Sequence, residues 1–153
     1  MHMYDIIVIG MGPAGMAVSA MATKLGLSVL GIEKNKVGGE CLNCGCIPSK
    51  ALLKAGEMRS IIDNLEHYGI HPTEKPKVND PLAIVRNKVE TISGPKTMKT
   101  FDKEGIEVYN KAAISKVEQV DGEIVIHTDK GVFKTKQILV AAGRKPVVDG
   151  LKL

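Results

Sequence analysis

The first part of the chain alternates between short apolar runs and one amphipathic stretch. Residues 4–9 form an apolar run rich in β-branched side chains, which predicts a buried strand of a parallel sheet. A helix is predicted over residues 13–25, with Gly26 as its terminator. A second apolar run, residues 27–33, predicts the next strand and ends in an acid. Strand, helix and strand in this order predict a βαβ unit.

The middle of the chain has helical periodicity interrupted by prolines. Apolar residues recur at helical spacing after residue 50, and Gly69 is predicted to end this helix. Residues 70–81 contain several prolines and are predicted to form a loop. Another helix is predicted to start after a cap at Asn79 or Asp80 and to reach residue 103, with a break at Gly94.

The last third of the chain has the pattern of strands. Residues 105–109 predict a further parallel strand. Three short strands, residues 113–117, 123–128 and 131–134, are separated by tight turns and predict an antiparallel meander. Residues 137–141 predict another buried strand. The predicted fold class is therefore α/β, with a Rossmann-like parallel sheet flanked by helices and a small antiparallel β-meander.

Composition limits the classes of function. With 153 residues and 44% hydrophobic content, the chain is predicted to form one globular domain. No apolar run has the length of a membrane span and no secretory signal is visible, so we expect a cytoplasmic protein without a membrane partner. The net charge is +4, but the lysines are scattered and aromatic residues make up only 3%, which argues against nucleic acid as a partner.

The first predicted strand is followed directly by Gly-Met-Gly-Pro-Ala-Gly, which places a Gly-x-Gly-x-x-Gly pattern between strand and helix. In this pattern Gly10 allows a tight turn, Gly12 lets the backbone approach a pyrophosphate, and Gly15 brings the helix against the strand. The phosphates would lie at the helix N-terminus, where free N–H groups favour anions. Glu33 ends the next strand and fits the acid that binds a ribose. The motif predicts a dinucleotide site without separating NAD from FAD.

All three cysteines lie within residues 38–50, Gly-Gly-Glu-Cys-Leu-Asn-Cys-Gly-Cys-Ile-Pro-Ser-Lys, and such a cluster favours redox or metal chemistry. On a regular helix Cys41 and Cys46 would lie about 8.6 Å apart, beyond the limit of about 7 Å for a disulfide. A bridge between them needs a distorted turn, which Gly45 would permit. A Cys41–Cys44 bridge fits an ordinary turn, so spacing alone leaves both pairings open. A zinc site would lack a fourth ligand nearby in the sequence.

This cysteine segment resembles the redox-active segment of the flavin-dependent pyridine nucleotide-disulfide oxidoreductases. The pattern of that family is Gly-Gly-Thr-Cys-apolar-Asn-x-Gly-Cys-(Val/Ile)-Pro-Ser-Lys, and the match is ungapped. Glu40 stands in place of the usual Thr, and Cys44 occupies a position that usually has no thiol. The resemblance implies that Cys41 and Cys46 are the exchanging catalytic pair, with Cys46 nearer to the flavin, and that Lys50 lies near the reactive nitrogen of the flavin. With FAD bound, Cys44 is expected to be a buried, inert thiol.

A second segment, residues 142–146, resembles the Ala-Thr-Gly-x-x-Pro signature of the same family, with Ala142 in place of Thr. The resemblance implies that the first βαβ unit binds FAD, whereas NAD or NADP would bind to a later domain of the complete enzyme. No metal is implied. The implied cofactor-binding residues are Gly10, Gly12, Pro13, Ala14, Gly15, Glu33, Lys34, Gly39, Glu40, Cys41, Lys50, Ala113, Ala142 and Gly143.

Members of the family continue well beyond the signature of residues 142–146. Residues 1–153 are therefore interpreted as the N-terminal part of the FAD-binding domain, without the nicotinamide-binding and dimerisation domains, and are predicted to be inactive alone. The resemblance implies that the complete enzyme is a cytoplasmic homodimer, most like dihydrolipoyl dehydrogenase, with a part in cell redox homeostasis. It would pass electrons from NAD(P)H through FAD and the Cys41–Cys46 disulfide to a small-molecule or protein disulfide or dithiol substrate.

An alternative of a different class remains open. The chain could be a non-catalytic fragment that binds only the adenosine part of FAD or a related dinucleotide. The glycine motif and Glu33 would serve either function, and only the cysteine segment favours the enzyme.

Overall fold

The computed structural model describes residues 2–74, 77–93, 95–144, 147 and 150. These residues divide into two compact units, Met1–Gly39 with Met98–Leu153, and Glu40–Thr97. The elements, in chain order, are β1 (Met3–Ile9), α1 (Pro13–Lys24), β2 (Val29–Glu33), α2 (Gly39–Asn43), α3 (Cys46–Asp63), a 3₁₀ turn (Leu65–Tyr68), α4 (Ala83–Ser93), α5 (Pro95–Lys103), β3 (Ile106–Asn110), β4 (Ile114–Val120), β5 (Glu123–Thr128) and β6 (Gly131–Val140).

The first unit is built on a six-stranded sheet of order β3-β2-β1-β6-β5-β4. Strands β3, β2, β1 and β6 run parallel, and β5 and β4 extend the sheet in antiparallel pairing. The arrangement confirms the predicted α/β fold class with its β-meander. Because four strands are parallel, their carboxyl ends lie along one edge of the sheet, which is where ligands bind in such folds.

Strand β6 corrects one prediction. The sequence predicted two strands, residues 131–134 and 137–141, but β6 runs without a break from Gly131 to Val140. Thr135 pairs with Ile124 of β5 on one side and with Tyr4 of β1 on the other, so it belongs to both halves of the sheet. The buried Thr135 hydroxyl lies within hydrogen-bond distance of the carbonyl oxygens of Gln137 at 2.9 Å and Asp5 at 3.2 Å, so this polar group is satisfied inside the sheet.

The sheet bends so that its antiparallel part lies over one face of its parallel part. The rings of Tyr109 on β3 and Phe133 on β6 have centroids 5.0 Å apart. In a flat sheet these strands would be separated by about 14 Å, three strand spacings. The bend buries Phe133 in a core cluster with Tyr4, Ile7 and other residues of the parallel strands. The Tyr4 hydroxyl donates to the Glu107 carboxylate at 2.5 Å, and burial together with this bond raises the pKa of Tyr4.

The opposite face of the sheet holds a second core cluster, to which α1 contributes Ala22 and α5 contributes Phe101. Met11 lies at the centre of this cluster with no solvent exposure. Its side chain occupies the space above Gly31 in β2, where an added Cβ would lie 2.6 Å from the Met11 sulfur. A glycine inside a fully buried strand is thus explained by the close approach of Met11.

The second unit consists of α2, α3 and α4, with contacts between α3 and α4. The structure begins α3 at Cys46 rather than after Lys50, because Pro48 falls in the first turn, where no intrahelical N–H is required. The apolar spacing predicted the helix correctly, yet no residue of α3 is buried. The Asp80 carboxylate accepts the Leu82 N–H at 3.1 Å, as expected of the predicted cap.

A break between the two later helices was predicted at Gly94, which lies outside the described residues. The structure ends α4 at Ser93 and begins α5 at Pro95. Among the helices described, none is long and apolar enough to cross a membrane.

The contact between Met11 and Gly31 gives a prediction about stability. Gly31→Ala should lower the free energy of unfolding by about 1–3 kcal/mol, because the new methyl group overfills a close-packed site. Chemical denaturation followed by circular dichroism measures the change. Gly56→Ala is the matched control, since that position in α3 has open space, and it should raise stability by about 0.5–1 kcal/mol. Equal effects of the two substitutions would contradict the assignment.

Candidate functional site

The carboxyl edge of the parallel strands brings together most of the cofactor-binding residues predicted from the sequence. The glycine motif follows β1, Lys34 follows β2, Ala113 follows β3 by three residues, and Ala142 and Gly143 follow β6. Backbone hydrogen bonds join these loops to the strands, since the Gly10 N–H donates to Ile32 O at 2.8 Å and the Ala112 N–H donates to Glu33 O at 2.9 Å. The loops at this edge are therefore held to the parallel strands by backbone hydrogen bonds.

The three glycines of the motif differ in what an added side chain would meet. Gly10 has φ +95°, and a Cβ there would lie 2.5 Å from the carbonyl oxygen of Ala141. A Cβ at Gly15 would lie 2.0 Å from the carbonyl oxygen of Gly10, so the helix could not approach the turn. Gly12 differs, because among the described residues outside its immediate chain neighbours only the Cα of Gly39 lies near its added Cβ, at 3.8 Å. The backbone at Gly12 is thus open to a ligand, while Gly10 and Gly15 are required by the fold.

Helix α1 begins at this open position with no partner for its positive end. Gly12 is the N-cap residue and Pro13 the first helical residue, no side chain caps the helix, and its first turn has no acid. The N–H groups of the first turn have no acceptor within a helix, and the dipole adds partial positive charge. The open space at Gly12 and the uncapped N–H groups fit a pyrophosphate. Pro13 and Ala14 are exposed there, and Gly15 is buried.

Glu33 lies at the end of β2 with only 8% of its surface exposed. One carboxylate oxygen accepts the N–H of Met11 at 2.8 Å, and the other accepts the N–H of Asn35 at 2.8 Å. A carboxylate can accept about four hydrogen bonds, so capacity remains for the hydroxyl groups of a ribose. Glu33 therefore has a structural task that the sequence did not reveal, in addition to the predicted ligand contact.

Met11 is the residue of this site that sequence reasoning missed. Its N–H donates to Glu33, its carbonyl accepts the Gly38 N–H at 2.7 Å, and its side chain lies above Gly31. The Ser19 hydroxyl is 3.8 Å from its sulfur. Backbone and side chain together hold the glycine loop in place. The available signal was Gly31, since a glycine inside a strand often marks the close approach of another group.

The remaining predicted residues of the first unit have varied surroundings. Lys34 is exposed. The backbone of Ala113 is used by the fold, because its N–H donates to the Asp129 carboxylate at 2.9 Å and its carbonyl accepts the Asp129 N–H at 3.1 Å. Gly143 has φ +93° and open space around it. Lys145 and Pro146, the end of the signature segment, lie outside the described residues.

The second unit contains the cysteine segment, together with the predicted cofactor residues Glu40, Cys41 and Lys50. The chain leaves helical geometry between α2 and α3. The N–H groups of Cys44 and Gly45 both donate to the carbonyl of Glu40, at 2.9 and 2.6 Å. A Cβ at Gly45 would lie 3.0 Å from that same oxygen and 3.3 Å from the Cα of Cys41. The distorted turn that a Cys41–Cys46 pair requires is present, with Gly45 at its centre.

The neighbouring Cys46 side chain, acting as a hydrogen-bond partner, is the main cause that raises the pKa of the Cys41 thiol, and desolvation adds to it. The backbone N–H of Cys46, the first residue of α3, and the charge of Lys50 act in the opposite direction. The arrangement favours a proton on Cys41. Cys41 is half-buried and Cys46 exposed, both as free thiols.

Cys44 is exposed in the structure, and its burial with FAD bound stays a prediction. Glu40 and Lys50 are exposed as well. Within the described ranges, no three side chains of His, Cys, Asp or Glu are arranged to hold a metal ion. The three thiols thus lie close together in the sequence, with Cys44 and Cys46 exposed and Cys41 half-buried.

Comparisons with known proteins give the family of the chain. Residues 4–97 match the model of the family described as pyridine nucleotide-disulphide oxidoreductase. The chain is 34% identical over 151 residues to a dihydrolipoyl dehydrogenase of Mycoplasma genitalium, covering 94% of this chain and 30% of the relative. A dihydrolipoyl dehydrogenase of Chlorobaculum parvum is 33% identical over 161 residues, covering 97% of this chain and 32% of the relative.

A third relative, a dihydrolipoyl dehydrogenase of Thermus scotoductus, is 49% identical over 70 residues, which is 46% of this chain and 15% of that protein. The chain spans about a third of the length of the relatives that it matches almost throughout. The matched family segment includes the glycine motif, Glu33 and the cysteine cluster. The chain therefore belongs to the pyridine nucleotide-disulphide oxidoreductase family.

Proposed function

We propose that this chain is the FAD-binding, dithiol-carrying part of a flavoprotein disulfide oxidoreductase of the dihydrolipoyl dehydrogenase type. The distorted turn at Gly45, which lies between Cys41 and Cys46 and brings the backbone at Gly45 close to that of Cys41, is the observation that carries the proposal. It is supported by the uncapped N-terminus of α1 and by the names of the relatives.

The first unit would hold the adenosine and pyrophosphate half of FAD. The open backbone at Gly12 and the first-turn N–H groups of α1 would bind the pyrophosphate, and the free lone pairs of Glu33 would accept ribose hydroxyls. Ala113, Ala142 and Gly143 would line the same edge. When bound, FAD supplies the two-electron chemistry that connects a nicotinamide with a dithiol.

The second unit would carry the thiol chemistry. The thiolate of Cys41 attacks one sulfur of a substrate disulfide, forming a mixed disulfide and releasing the first substrate thiolate. The thiolate of Cys46 then attacks the Cys41 sulfur, which forms the Cys41–Cys46 disulfide and releases the second substrate thiolate. The two protons lost by the protein thiols are taken up by the two product thiolates. The reverse sequence oxidises a dithiol substrate.

For the complete protein we propose a cytoplasmic homodimer that uses NAD or NADP and takes part in cell redox homeostasis. Its substrate would be a small-molecule or protein disulfide or dithiol. The dihydrolipoyl dehydrogenase relatives support this assignment by name.

Ligand competition tests the cofactor assignment. FAD is titrated into the chain and bound FAD is measured by its fluorescence, with ADP or FMN as the competitor. We expect weak binding of FAD that ADP reduces and FMN does not, because the loop and Glu33 would recognise the adenosine half. Equal competition by FMN, or no binding at all, would refute the proposed cofactor site.

A substitution at Gly12 tests ligand binding separately from folding. Gly12→Ala should leave the free energy of unfolding within about 0.5 kcal/mol, since the added Cβ meets only open space. The same methyl group would occupy the approach of the pyrophosphate, so the affinity for FAD should fall by about tenfold or more, equal to 1.4 kcal/mol. Gly15→Ala is the contrasting variant and should destabilise the fold itself. Unchanged FAD affinity in a folded Gly12→Ala chain would contradict the placement.

Glu33→Ala should weaken both stability and FAD binding. The buried N–H of Met11 and the partly buried N–H of Asn35 lose their acceptor, which should cost about 1–3 kcal/mol in the free energy of unfolding. Loss of the ribose contact should weaken FAD binding by a further 1.5–3 kcal/mol, roughly the value of a hydrogen bond to a charged group. Denaturation and FAD titration measure the two effects. Glu104→Ala removes an exposed acid of the same charge and should change neither quantity.

The effect of Cys46 on the pKa of Cys41 predicts the pH dependence of alkylation. In the reduced chain Cys41 should reach half-maximal reactivity with iodoacetamide above the usual thiol pKa of about 8.5, because Cys46 favours its protonated form. Cys46→Ala should move this midpoint to lower pH, as measured by peptide mass mapping over a pH series. Cys44→Ala leaves Cys46 in place and serves as the control. A midpoint unaffected by Cys46→Ala would exclude this effect of Cys46.

A further inference from the structure

The proposed thiol chemistry uses two of the three cysteines and leaves Cys44 without a task. Cys44 is exposed, lies between the other two in the sequence and stands at the turn where α2 ends. Its position in the fold therefore decides whether it can take part in exchange with either neighbour.

The backbone places Cys44 one helical turn from Cys41. The Cys44 N–H donates to the carbonyl of Glu40 at 2.9 Å, which is the four-residue bond of an α-helix and extends the turn of α2 through Cys44. Residues three apart on such a turn have Cα atoms about 5 Å apart, and side chains at this spacing are neighbours on one face. This separation lies inside the range of about 4.4–6.8 Å in which disulfides form.

Cys41 thus has two potential disulfide partners, Cys46 and Cys44. Cys46 neighbours it across the distorted turn at Gly45, and Cys44 neighbours it along the regular turn. A Cys41–Cys46 disulfide would span the distorted turn at Gly45, whereas a Cys41–Cys44 disulfide would span the regular turn that extends α2. Neither disulfide requires the backbone conformation that the other uses. Both partners are exposed, whereas Cys41 is half-buried.

We propose that Cys44 is a second resolving thiol, which attacks mixed disulfides formed on Cys41 and can hold the disulfide as Cys41–Cys44. The inference rests on the proposed function, because it requires Cys41 to react with a substrate disulfide. It adds a third member to the exchanging set.

The exchange steps balance without any further reactant. The Cys41 thiolate attacks a substrate disulfide, the Cys41 mixed disulfide forms, and one substrate thiolate leaves. The Cys44 thiolate attacks the Cys41 sulfur, the Cys41–Cys44 disulfide forms, and the second substrate thiolate leaves. The substrate disulfide is reduced to two thiols, and two protein thiols are oxidised. Attack of the Cys46 thiolate on Cys41 then moves the disulfide to Cys41–Cys46 and returns Cys44 as a thiolate.

Oxidised glutathione serves as the probe in an experiment on the full chain. Three variants are reduced, freed of reductant and treated with the probe: Cys46→Ser, Cys44→Ser, and the double variant with both substitutions. Intact mass followed over time measures the glutathione adduct, and peptide mapping without reduction locates each disulfide. Circular dichroism checks that the variants are folded, which we expect because both substituted positions are exposed.

In Cys46→Ser we expect a short-lived adduct on Cys41 that converts to a Cys41–Cys44 disulfide. In the double variant the adduct should persist, with a lifetime longer by about tenfold or more, because an intramolecular thiol has a very high effective concentration. A persistent adduct on Cys41 in folded Cys46→Ser, or a persistent adduct on Cys44, would overturn the proposal.

The Cys44→Ser variant separates this inference from the proposed function. It retains Cys41 and Cys46, so conversion of its adduct to a Cys41–Cys46 disulfide supports the proposed catalytic pair. Failure of that conversion, with Cys46→Ser still forming Cys41–Cys44, would refute the pair and support the role of Cys44. Success in Cys44→Ser with failure in Cys46→Ser would leave the pair intact and refute the role of Cys44.

Discussion

The loops at the carboxyl edge of the parallel strands depend on hydrogen bonds to the Glu33 carboxylate. This carboxylate accepts one backbone N–H from the glycine loop and one from the segment after β2, and it is nearly removed from solvent. Hydrogen bonds to a charged acceptor are among the stronger ones, and loss of the acceptor would leave both donors without a partner. Through Met11, this carboxylate fixes where α1 begins and therefore where its unpaired N–H groups point. The geometry of the whole edge follows from one side chain at the end of one strand.

The cysteine segment depends on a different constraint, the backbone at Gly45. Its conformation, φ −111° and ψ −108°, is neither helical nor extended, and it ends one helix and begins the next within three residues. This backbone shape provides the distorted turn that a Cys41–Cys46 bridge would need. Chain spacing could exclude a Cys41–Cys46 contact on a regular helix but could not say whether the helix was regular, which is why two pairings remained open from the sequence.

The elements that the sequence predicted well are those with local signals. The βαβ unit was predicted to within two residues at each boundary, because glycines mark the turns and apolar runs mark the strands. The prediction failed where the hydrogen bonds or the burial of a residue depend on residues that are distant in the sequence. The interruption predicted between residues 134 and 137 is absent, because Thr135 pairs with a strand on each side and its hydroxyl is satisfied inside the sheet. Helix α3 has the spacing of a buried helix, yet burial depends on what covers it, and none of its residues is buried. In the candidate site the sequence predicted Glu33 as a ligand residue, which stays a prediction, but gave no sign that Glu33 also supports Met11.

Met11 and Gly31 share a single volume in the core below the cofactor edge. Neither position can be interpreted alone, since the side chain missing from one is supplied by the other. Close-packed interiors conserve total volume more strictly than they conserve the identity of any residue. Related chains should therefore vary at these two positions together, with a larger residue in the strand accompanied by a smaller one in the glycine loop. The residue between the first two glycines of this motif would then be interpreted together with the strand residue that it packs against.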